Sequence, residues 1–251
     1  MARIHLDFFS TVLRRCVQAG VILPQNTSGQ IGMEGRAQEV FPTLYLLHGM
    51  SDDETIWQRR TAIERYAAEK GCAVVMPSTE LGWYTDMECG YQQYYTYIAK
   101  ELPVVCRSFF RGMSAERELN WVAGHSMGGY GALKIGLHES EAFSRAICLS
   151  GSYSIENKPS TPYWTAIFGE GAQRIKHTIP YAIERLIAEN RPRPAIYMAC
   201  GTEDALLENN RQTRDLLLKN GFEVEYAEAP GSHTWAFWDA QIERVLGRWI
   251  P

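Results

Sequence analysis

Residues 120–133 read NWVAGHSMGGYGAL, and this stretch decides the fold. It opens as a short buried strand and continues, from Tyr130 onward, as a helix. Between the two, Gly124 and Gly128 flank Ser126 in a G-x-S-x-G pattern, which in a strand–turn–helix context is typical of a nucleophile elbow. The turn is so tight that flanking side chains would collide with backbone, so only glycine fits there. The stretch therefore predicts Ser126 as a nucleophile.

The neighbours of Ser126 have different expected roles. The helix that follows points its first amides toward the serine, where they can stabilise negative charge. His125 is next to Ser126, but adjacent residues on such a turn point apart. We therefore interpret His125 as a packing or hydrogen-bonding residue and not as the base.

Short apolar runs recur along the chain, and most of them lead into a helical pattern. Buried strands that alternate with amphipathic helices indicate a mostly parallel sheet. With the elbow, this pattern predicts an α/β-hydrolase fold, which is a mostly parallel central sheet with helices on both faces. The predicted strands are 43–47, 73–76, 120–123, 146–149 and 195–198, with an alternating run at 222–226 nearer the sheet edge; the predicted helices are 56–70, 94–110, 129–138, 209–219 and 235–249.

Two segments depart from this alternation. The region that ends at Pro24 has the pattern of antiparallel strands. Residues 153–192 carry several prolines and no clear strand, which predicts short helices in a small cap-like excursion. Since 251 residues suit one large domain, we expect a single α/β-hydrolase domain over 1–251 with 153–192 as a cap insertion.

Composition narrows the possible partners. With 22% charged residues and a formal net charge of −4, the chain offers no electrostatic case for binding nucleic acid or an anionic membrane. No apolar run approaches the ~20 residues that a membrane span requires. The N-terminus carries Asp7 early and lacks the apolar core of a signal peptide, so we expect a cytoplasmic protein. The sequence leaves a homo-oligomer open.

The six cysteines are scattered and include no C-x-x-C pair. Cys72, Cys106, Cys148 and Cys200 lie in apolar surroundings, which favours buried free thiols over disulfides or metal ligands. Cys89 lies in a polar loop and is the thiol that we expect to be exposed. We therefore expect neither a metal nor a cofactor.

A serine nucleophile needs a base, and the base needs an orienting acid. In an α/β-hydrolase these follow the serine in the order acid, then histidine. Only His233 follows a well-placed acid, in the loop before the last helix. Asp204 directly follows an apolar strand, at the edge where catalytic side chains collect. Glu203 is the competing acid, and Asp215 lies inside a helix.

Two backbone amides are needed to stabilise the oxyanion of an acyl-transfer reaction. The amide after the nucleophile belongs to Met127. The second should come from the loop His48-Gly49-Met50 after an early strand, where we expect the Met50 amide to donate. Gly49 permits close approach of a substrate to this loop.

Several aromatic residues are candidates for a substrate pocket or for the core. Trp83 and Tyr84 lie in a loop after a strand, on the expected catalytic side, so we expect both to contact substrate. Trp164 lies in the excursion, where it would limit acyl length. Trp235 and Trp238 follow His233 and are expected to anchor its loop.

These segments together resemble the esterase D-like family of α/β-hydrolases, and within it most closely the tributyrin esterases of Gram-positive bacteria. The resemblance rests on the elbow and on matching runs across most of the chain, which are 44–50, 57–61, 76–78, 82–86, 124–131 and 201–204. It implies a metal-free hydrolase of short acyl esters (acetyl to butyryl), with Ser126, Asp204 and His233 as the triad and the amides of Met50 and Met127 as the oxyanion hole.

Other functions stay open at this point. S-formylglutathione hydrolases share the family, although their loop after the early strand differs from 48–50 here. Feruloyl and acetyl-carbohydrate esterases also belong to the wider group. An acyltransferase would use the same residues with an alcohol in place of water. A binding module without catalysis would have no need for an intact triad.

Overall fold

The computed structural model describes residues 1–29, 31–32 and 35–250. Eight strands form one sheet in the order β1-β2-β4-β3-β5-β6-β7-β8. The first two strands pair antiparallel, β2 joins β4 antiparallel, and all later pairs are parallel. The strands are β1 (Ala2–Ser10), β2 (Arg15–Leu23), β3 (Thr43–Leu47), β4 (Ala73–Pro77), β5 (Asn120–His125), β6 (Arg145–Leu149), β7 (Ala195–Gly201) and β8 (Val224–Ala229).

Helices cover both faces of the sheet, as the α/β-hydrolase fold requires. They are α1 (Ile56–Arg60), α2 (Ile63–Lys70), α3 (Tyr94–Thr96), α4 (Leu102–Phe109), α5 (Met127–His138), α6 (Pro162–Phe168), α7 (Ala172–Ile175), α8 (Ile179–Ala188), α9 (Leu207–Lys219) and α10 (Trp235–Trp249), with a π-helical segment, Tyr97–Glu101, between α3 and α4 and a 3₁₀ turn at Arg117–Leu119. The predicted fold class is confirmed, including the antiparallel N-terminal strands and the last strand at the sheet edge.

Two predicted helices differ from the structure. The helix expected over 56–70 is broken, because Thr61 is extended (φ −137°, ψ 168°) and ends α1. Its hydroxyl donates to the carbonyl of Trp57 and accepts from the amide of Ile63, so it closes one helix and starts the next. The helix expected over 94–110 contains the π-helical segment, which is a one-residue insertion that the 3.6-residue period does not reveal.

The nucleophile elbow lies at the centre of the sheet. Strand β5 is buried along its whole length between β3 and β6. Helix α5 packs on one face, where Tyr130 and Phe143 join the larger apolar cluster. On the other face, α2 and α10 cover a second cluster that includes Trp57 and Ile242. The turn between β5 and α5 therefore rests on a rigid two-sided core.

Residues 153–192 form the three short helices α6 to α8 and no strand, as predicted. They attach to the loop that follows β4, since the amides of Glu88 and Cys89 donate to the carbonyls of Ile167 and Ala166. Their interpretation as the cap of a single domain stays a prediction.

The cysteines follow the expectation from their sequence surroundings. Cys72, Cys106, Cys148 and Cys200 are buried free thiols, and Cys89 is exposed. Cys16 is exposed as well, because it lies at the beginning of β2, where the sheet is only two-stranded. In the described part of the chain, no helix is long and apolar enough to cross a membrane.

Candidate active site

Ser126 occupies a strained turn at the carboxyl end of β5. Its backbone has φ 54° and ψ −116°, a conformation that L-residues rarely adopt. The amide donates to the carbonyl of Leu149 at 2.9 Å, which ties the turn to β6. A Cβ at Gly124 would overlap the carbonyl of Gly128, and a Cβ at Gly128 would lie 2.6 Å from the carbonyl oxygen of His48. The two glycines are therefore required by backbone packing, as the sequence predicted.

The structure brings the three predicted triad residues together. Nε2 of His233 lies 3.0 Å from Oγ of Ser126, and Nδ1 of His233 lies 2.8 Å from Oδ2 of Asp204. A carboxylate beside Nδ1 favours the tautomer with its proton on Nδ1, which leaves the Nε2 lone pair facing the serine hydroxyl. The arrangement can therefore accept the proton of Ser126.

The structure also distinguishes between the two candidate acids. The side chain of Asp204 is 1% exposed and contacts His233. Burial opposes ionisation of Asp204, but hydrogen bonds from His233, the Leu206 amide and Ser150 outweigh it, so the pKa of this carboxyl lies below its usual value. Glu203 is exposed and accepts instead from the amide of Gly231 and from Thr202.

Ser150 was not singled out from the sequence, although it supports the Asp204–His233 pair. It follows β6 directly, at the same sheet edge, with φ 46°. Its hydroxyl accepts from the indole of Trp238 at 3.1 Å and helps to lower the pKa of Asp204. The Trp238 ring also packs against His233, with 4.8 Å between the ring centroids. A polar residue directly after a buried parallel strand was the signal that could have identified Ser150.

His125 lies beneath the site and does not contact Ser126 as a base. It is 1% exposed, and its ring packs against the rings of Trp57, Trp235 and Trp238. Burial lowers the pKa of His125 to about 4, despite Asp52 at 3.3 Å from Nε2, so the ring is neutral at pH 7. These contacts agree with the interpretation of His125 as a packing or hydrogen-bonding residue.

The loop after β3 passes directly over His125. A Cβ at Gly49 would overlap the His125 imidazole, so glycine is needed for the path of this loop. His48 is buried as well: its Nε2 accepts from the Thr79 amide at 3.0 Å, and its Nδ1 lies 2.6 Å from the Gly49 carbonyl. Burial lowers the pKa of His48, which therefore serves as a neutral anchor.

The two predicted oxyanion amides are available as donors. Met127 begins α5, so its amide has no acceptor within the helix. Within residues 1–29, 31–32 and 35–250, neither this amide nor that of Met50 donates to another protein group. Their role as the oxyanion hole stays a prediction.

The predicted substrate contact of Tyr84 is wrong. Tyr84 is fully buried, and its hydroxyl donates to the carbonyl of His48 at 2.8 Å. Trp83 and Tyr84 both have φ 51°, and this backbone reversal turns Tyr84 into the core beside Gly131. Tyr84 therefore supports the loop after β3 from below, and Gly49, which is also buried, shapes that loop and offers no side chain.

Trp83 and Trp164, which were separate candidates for substrate contact, form an aromatic pair. Their ring centroids are 5.1 Å apart, and the indole of Trp83 donates to the hydroxyl of Tyr163 at 3.1 Å. Trp83 is only 3% exposed, so Trp164 provides the more accessible ring of the pair. Direct substrate contact by either residue stays a prediction.

The fold and this Ser–His–Asp arrangement are those of a serine hydrolase. The chain belongs to the Putative esterase family, whose family model matches residues 10–249. It is 31% identical to an acetyl esterase of Caldicellulosiruptor saccharolyticus, over 98% of this chain and 97% of that relative.

Two solved structures from Staphylococcus aureus are also similar. One is the fluorophosphonate-binding serine hydrolase F, FphF, with a TM-score of 0.88, 32% identity, and coverage of 100% of this chain and 98% of that one. The other is the S-formylglutathione hydrolase FrmB, with a TM-score of 0.84, 31% identity, and coverage of 100% and 99%. The protein is accordingly a serine carboxylic ester hydrolase.

The described residues include no group of three or more histidine, cysteine, aspartate or glutamate side chains placed to hold a metal ion.

Proposed function

We propose that the protein hydrolyses short-chain acyl esters, from acetyl to butyryl, through an acyl-enzyme on Ser126. The observation that carries the proposal is the continuous hydrogen-bond chain from Oγ of Ser126 through His233 to Asp204. In this proposal His233 is the general base and acid, and Asp204 fixes its tautomer and stabilises its protonated form.

The reaction proceeds in two halves. His233 takes the hydroxyl proton as Oγ of Ser126 attacks the ester carbonyl, and the amides of Met50 and Met127 stabilise the oxyanion. His233 then gives that proton to the leaving alcohol, which departs. Water attacks the acyl-enzyme with His233 again as base, and Ser126 is released with the carboxylic acid.

The aromatic pair supports the short-acyl preference. In this proposal the packed rings of Trp83 and Trp164 limit the depth available to the acyl chain, so a longer chain would have to displace the excursion. Free thiols at all six cysteines are consistent with the proposed cytoplasmic location.

A panel of 4-nitrophenyl esters from acetate to decanoate tests the proposal. We expect kcat/KM to fall beyond butyrate, and Ser126→Ala to lose at least ~10⁴-fold of the activity. Asp204→Asn should lose ~10³- to 10⁴-fold, because an amide favours the wrong histidine tautomer. Glu203→Gln is the matched control at the adjacent position and should retain activity. Loss in Glu203→Gln alone, or full turnover in Ser126→Ala, would contradict the assignment.

S-formylglutathione hydrolysis is the second candidate, and the likeness to the staphylococcal enzyme favours it. S-formylglutathione, acetylated xylose and methyl ferulate belong in the same assay, each against butyrate. A second panel with added alcohols distinguishes hydrolysis from acyl transfer, since a transferase would yield the new ester in preference to the acid.

A further inference from the structure

The ammonium of Lys158 lies near the nucleophile turn, and it has no role in the proposed reaction. Nζ of Lys158 donates to Oγ of Ser152 at 3.2 Å. The Ser152 amide in turn donates to the carbonyl oxygen of Ser126 at 3.3 Å. The ammonium is therefore two hydrogen bonds away from the backbone of the candidate nucleophile.

The aromatic pair holds this ammonium in place. Nζ of Lys158 lies 4.7 Å from the ring centroid of Trp83 and 4.8 Å from that of Trp164. Both distances are within the range of cation–π attraction, which favours a charged amine between the two rings. The backbone carbonyl of Lys158 also accepts from Arg174, so the residue is fixed at both ends.

Among the residues that the structure describes, the ammonium has no carboxylate partner. In the described ranges of the chain, Lys158 takes part in no ion pair within 4.0 Å, and its one side-chain acceptor is the neutral Ser152 hydroxyl. Burial lowers the pKa of the Lys158 amine, and the charge of the exposed Glu156 opposes this only partly. An ammonium carries three N–H donors, so two are left for another group.

We propose that Lys158 is a specificity residue that binds a carboxylate carried by the ester substrate. The proposal rests on the proposed function, because the ester must be bound at Ser126 for its carboxylate to reach Lys158. Two N–H groups of Lys158 would donate to the carboxylate, while Trp164, the more accessible of the two rings, packs against the carbon chain that carries it. The chemistry is the same whether the carboxylate is on the acyl half or on the alcohol half, and the experiment separates the two.

The experiment compares charged esters with neutral esters of nearly the same shape. For the acyl half, the pair is 4-nitrophenyl hydrogen glutarate and 4-nitrophenyl methyl glutarate. For the alcohol half, the pair is 5-butyryloxy-2-nitrobenzoate and its methyl ester. All four release a nitrophenol that is measured by absorbance, after subtraction of the rate without enzyme.

The variants are Lys158→Met, Lys158→Arg and Lys176→Met. Methionine keeps the length of the side chain and removes its charge, whereas arginine keeps the charge. Lys176 is an exposed lysine on the same excursion and is the matched control. A charge-assisted hydrogen bond contributes ~1.5–3 kcal/mol, which at about 1.4 kcal/mol per factor of ten corresponds to about 10- to 160-fold in kcat/KM. We expect Lys158→Met to lose that factor for a charged ester, mainly through KM, and to retain turnover of its neutral partner.

The outcomes separate this inference from the proposed function. Selective loss for the acyl pair or the alcohol pair, with recovery in Lys158→Arg and no loss in Lys176→Met, supports the proposal and assigns the half. Equal loss for charged and neutral esters would mean that Lys158 only stabilises the local structure, and this would overturn the proposal. No loss for any ester would overturn the proposal as well.

A calorimetric titration of Ser126→Ala with the charged ester, with and without Lys158→Met, measures binding apart from turnover. Binding that is insensitive to Lys158→Met overturns the inference. Failure of the native protein to hydrolyse any of the four esters overturns the proposed function instead.

Discussion

Replacement of Lys134 by methionine should remove a stabilisation that appears only at alkaline pH. Lys134 is 5% exposed on α5, and its Nζ donates to Oγ1 of Thr85 at 2.9 Å. It also lies 3.4 Å from the carbonyl oxygen of Tyr84 and 3.4 Å from Nδ1 of His177. Burial lowers the pKa of this amine from 10.5 to about 7, even though two nearby carboxylates oppose the shift.

The sign follows from proton binding in the two states. Between pH 7 and pH 10.5 the unfolded chain holds the Lys134 proton more tightly than the folded protein does. The free energy of unfolding therefore rises with pH in this window, and that contribution is lost as the pH falls through 7. Each pH unit contributes up to about 1.4 kcal/mol, and less near the folded pKa, so the gain from pH 7 to pH 9 is about 2 kcal/mol.

The assay is urea unfolding of the native protein and of Lys134→Met at pH 7, 8 and 9. Cysteines and tyrosines that ionise in the unfolded chain affect both proteins equally. The difference between the two free energies of unfolding should thus grow by about 2 kcal/mol in favour of the native protein. Lys176→Met is the exposed control and should follow the native protein. A difference that stays constant across the three pH values would refute the reasoning.

Three further predictions test the supports of the site. Gly128→Ala should lose at least ~100-fold in kcat/KM, because its Cβ would press on the His48 carbonyl and shift Ser126; Gly247→Ala, where a Cβ meets nothing within 4 Å, is the control and should raise Tm. Asp52→Asn should lower kcat about tenfold with little change in Tm, since it weakens the contact that fixes the Met50 loop to His125; an unchanged kcat would contradict this. Neutral burial of His125, with a pKa of about 4, should cost ~2 kcal/mol of unfolding free energy between pH 7 and pH 5 in the native protein relative to His125→Gln, and an equal pH dependence of the two proteins would argue against it.

The parts of the structure that the sequence predicted are those set by neighbours along the chain. The elbow is one example, because the glycines that it needs are two residues from Ser126. Helix α10 is another, with the predicted bounds 235–249. By contrast, the order Asp or Glu before His left Glu203 open as the acid. Only the direction of the two side chains after β7 separates Glu203 from Asp204, and the backbone of that turn sets it.

The features that sequence reasoning missed depend on distant contacts. Trp83 and Lys158 are 75 positions apart, and no periodic pattern connects the excursion with the loop after β4. The sequence predicts that the loop of Tyr84 follows a strand, and from that position alone its side chain is expected to face substrate. Two consecutive residues in the left-handed region then reversed the direction of its side chain. Loop position can be predicted from strand order, whereas side-chain direction within a loop requires its dihedral angles.

The site residues follow neighbouring strands of the sheet, and the order of these strands determines where each residue lies. Ser126 follows β5, Ser150 follows β6, Asp204 follows β7 and His233 follows β8, which are four neighbouring strands in that order. Strands β5 and β8 are three spacings apart, or about 14 Å, so a histidine directly above β8 would not reach the serine. The loop after β8 must therefore fold back over β7. It does so where a Cβ at Gly201 would overlap the carbonyl of Gly231, whose φ is 143°. That close crossing, together with Trp238 against the imidazole, allows an edge-strand histidine to serve a nucleophile at the centre of the sheet.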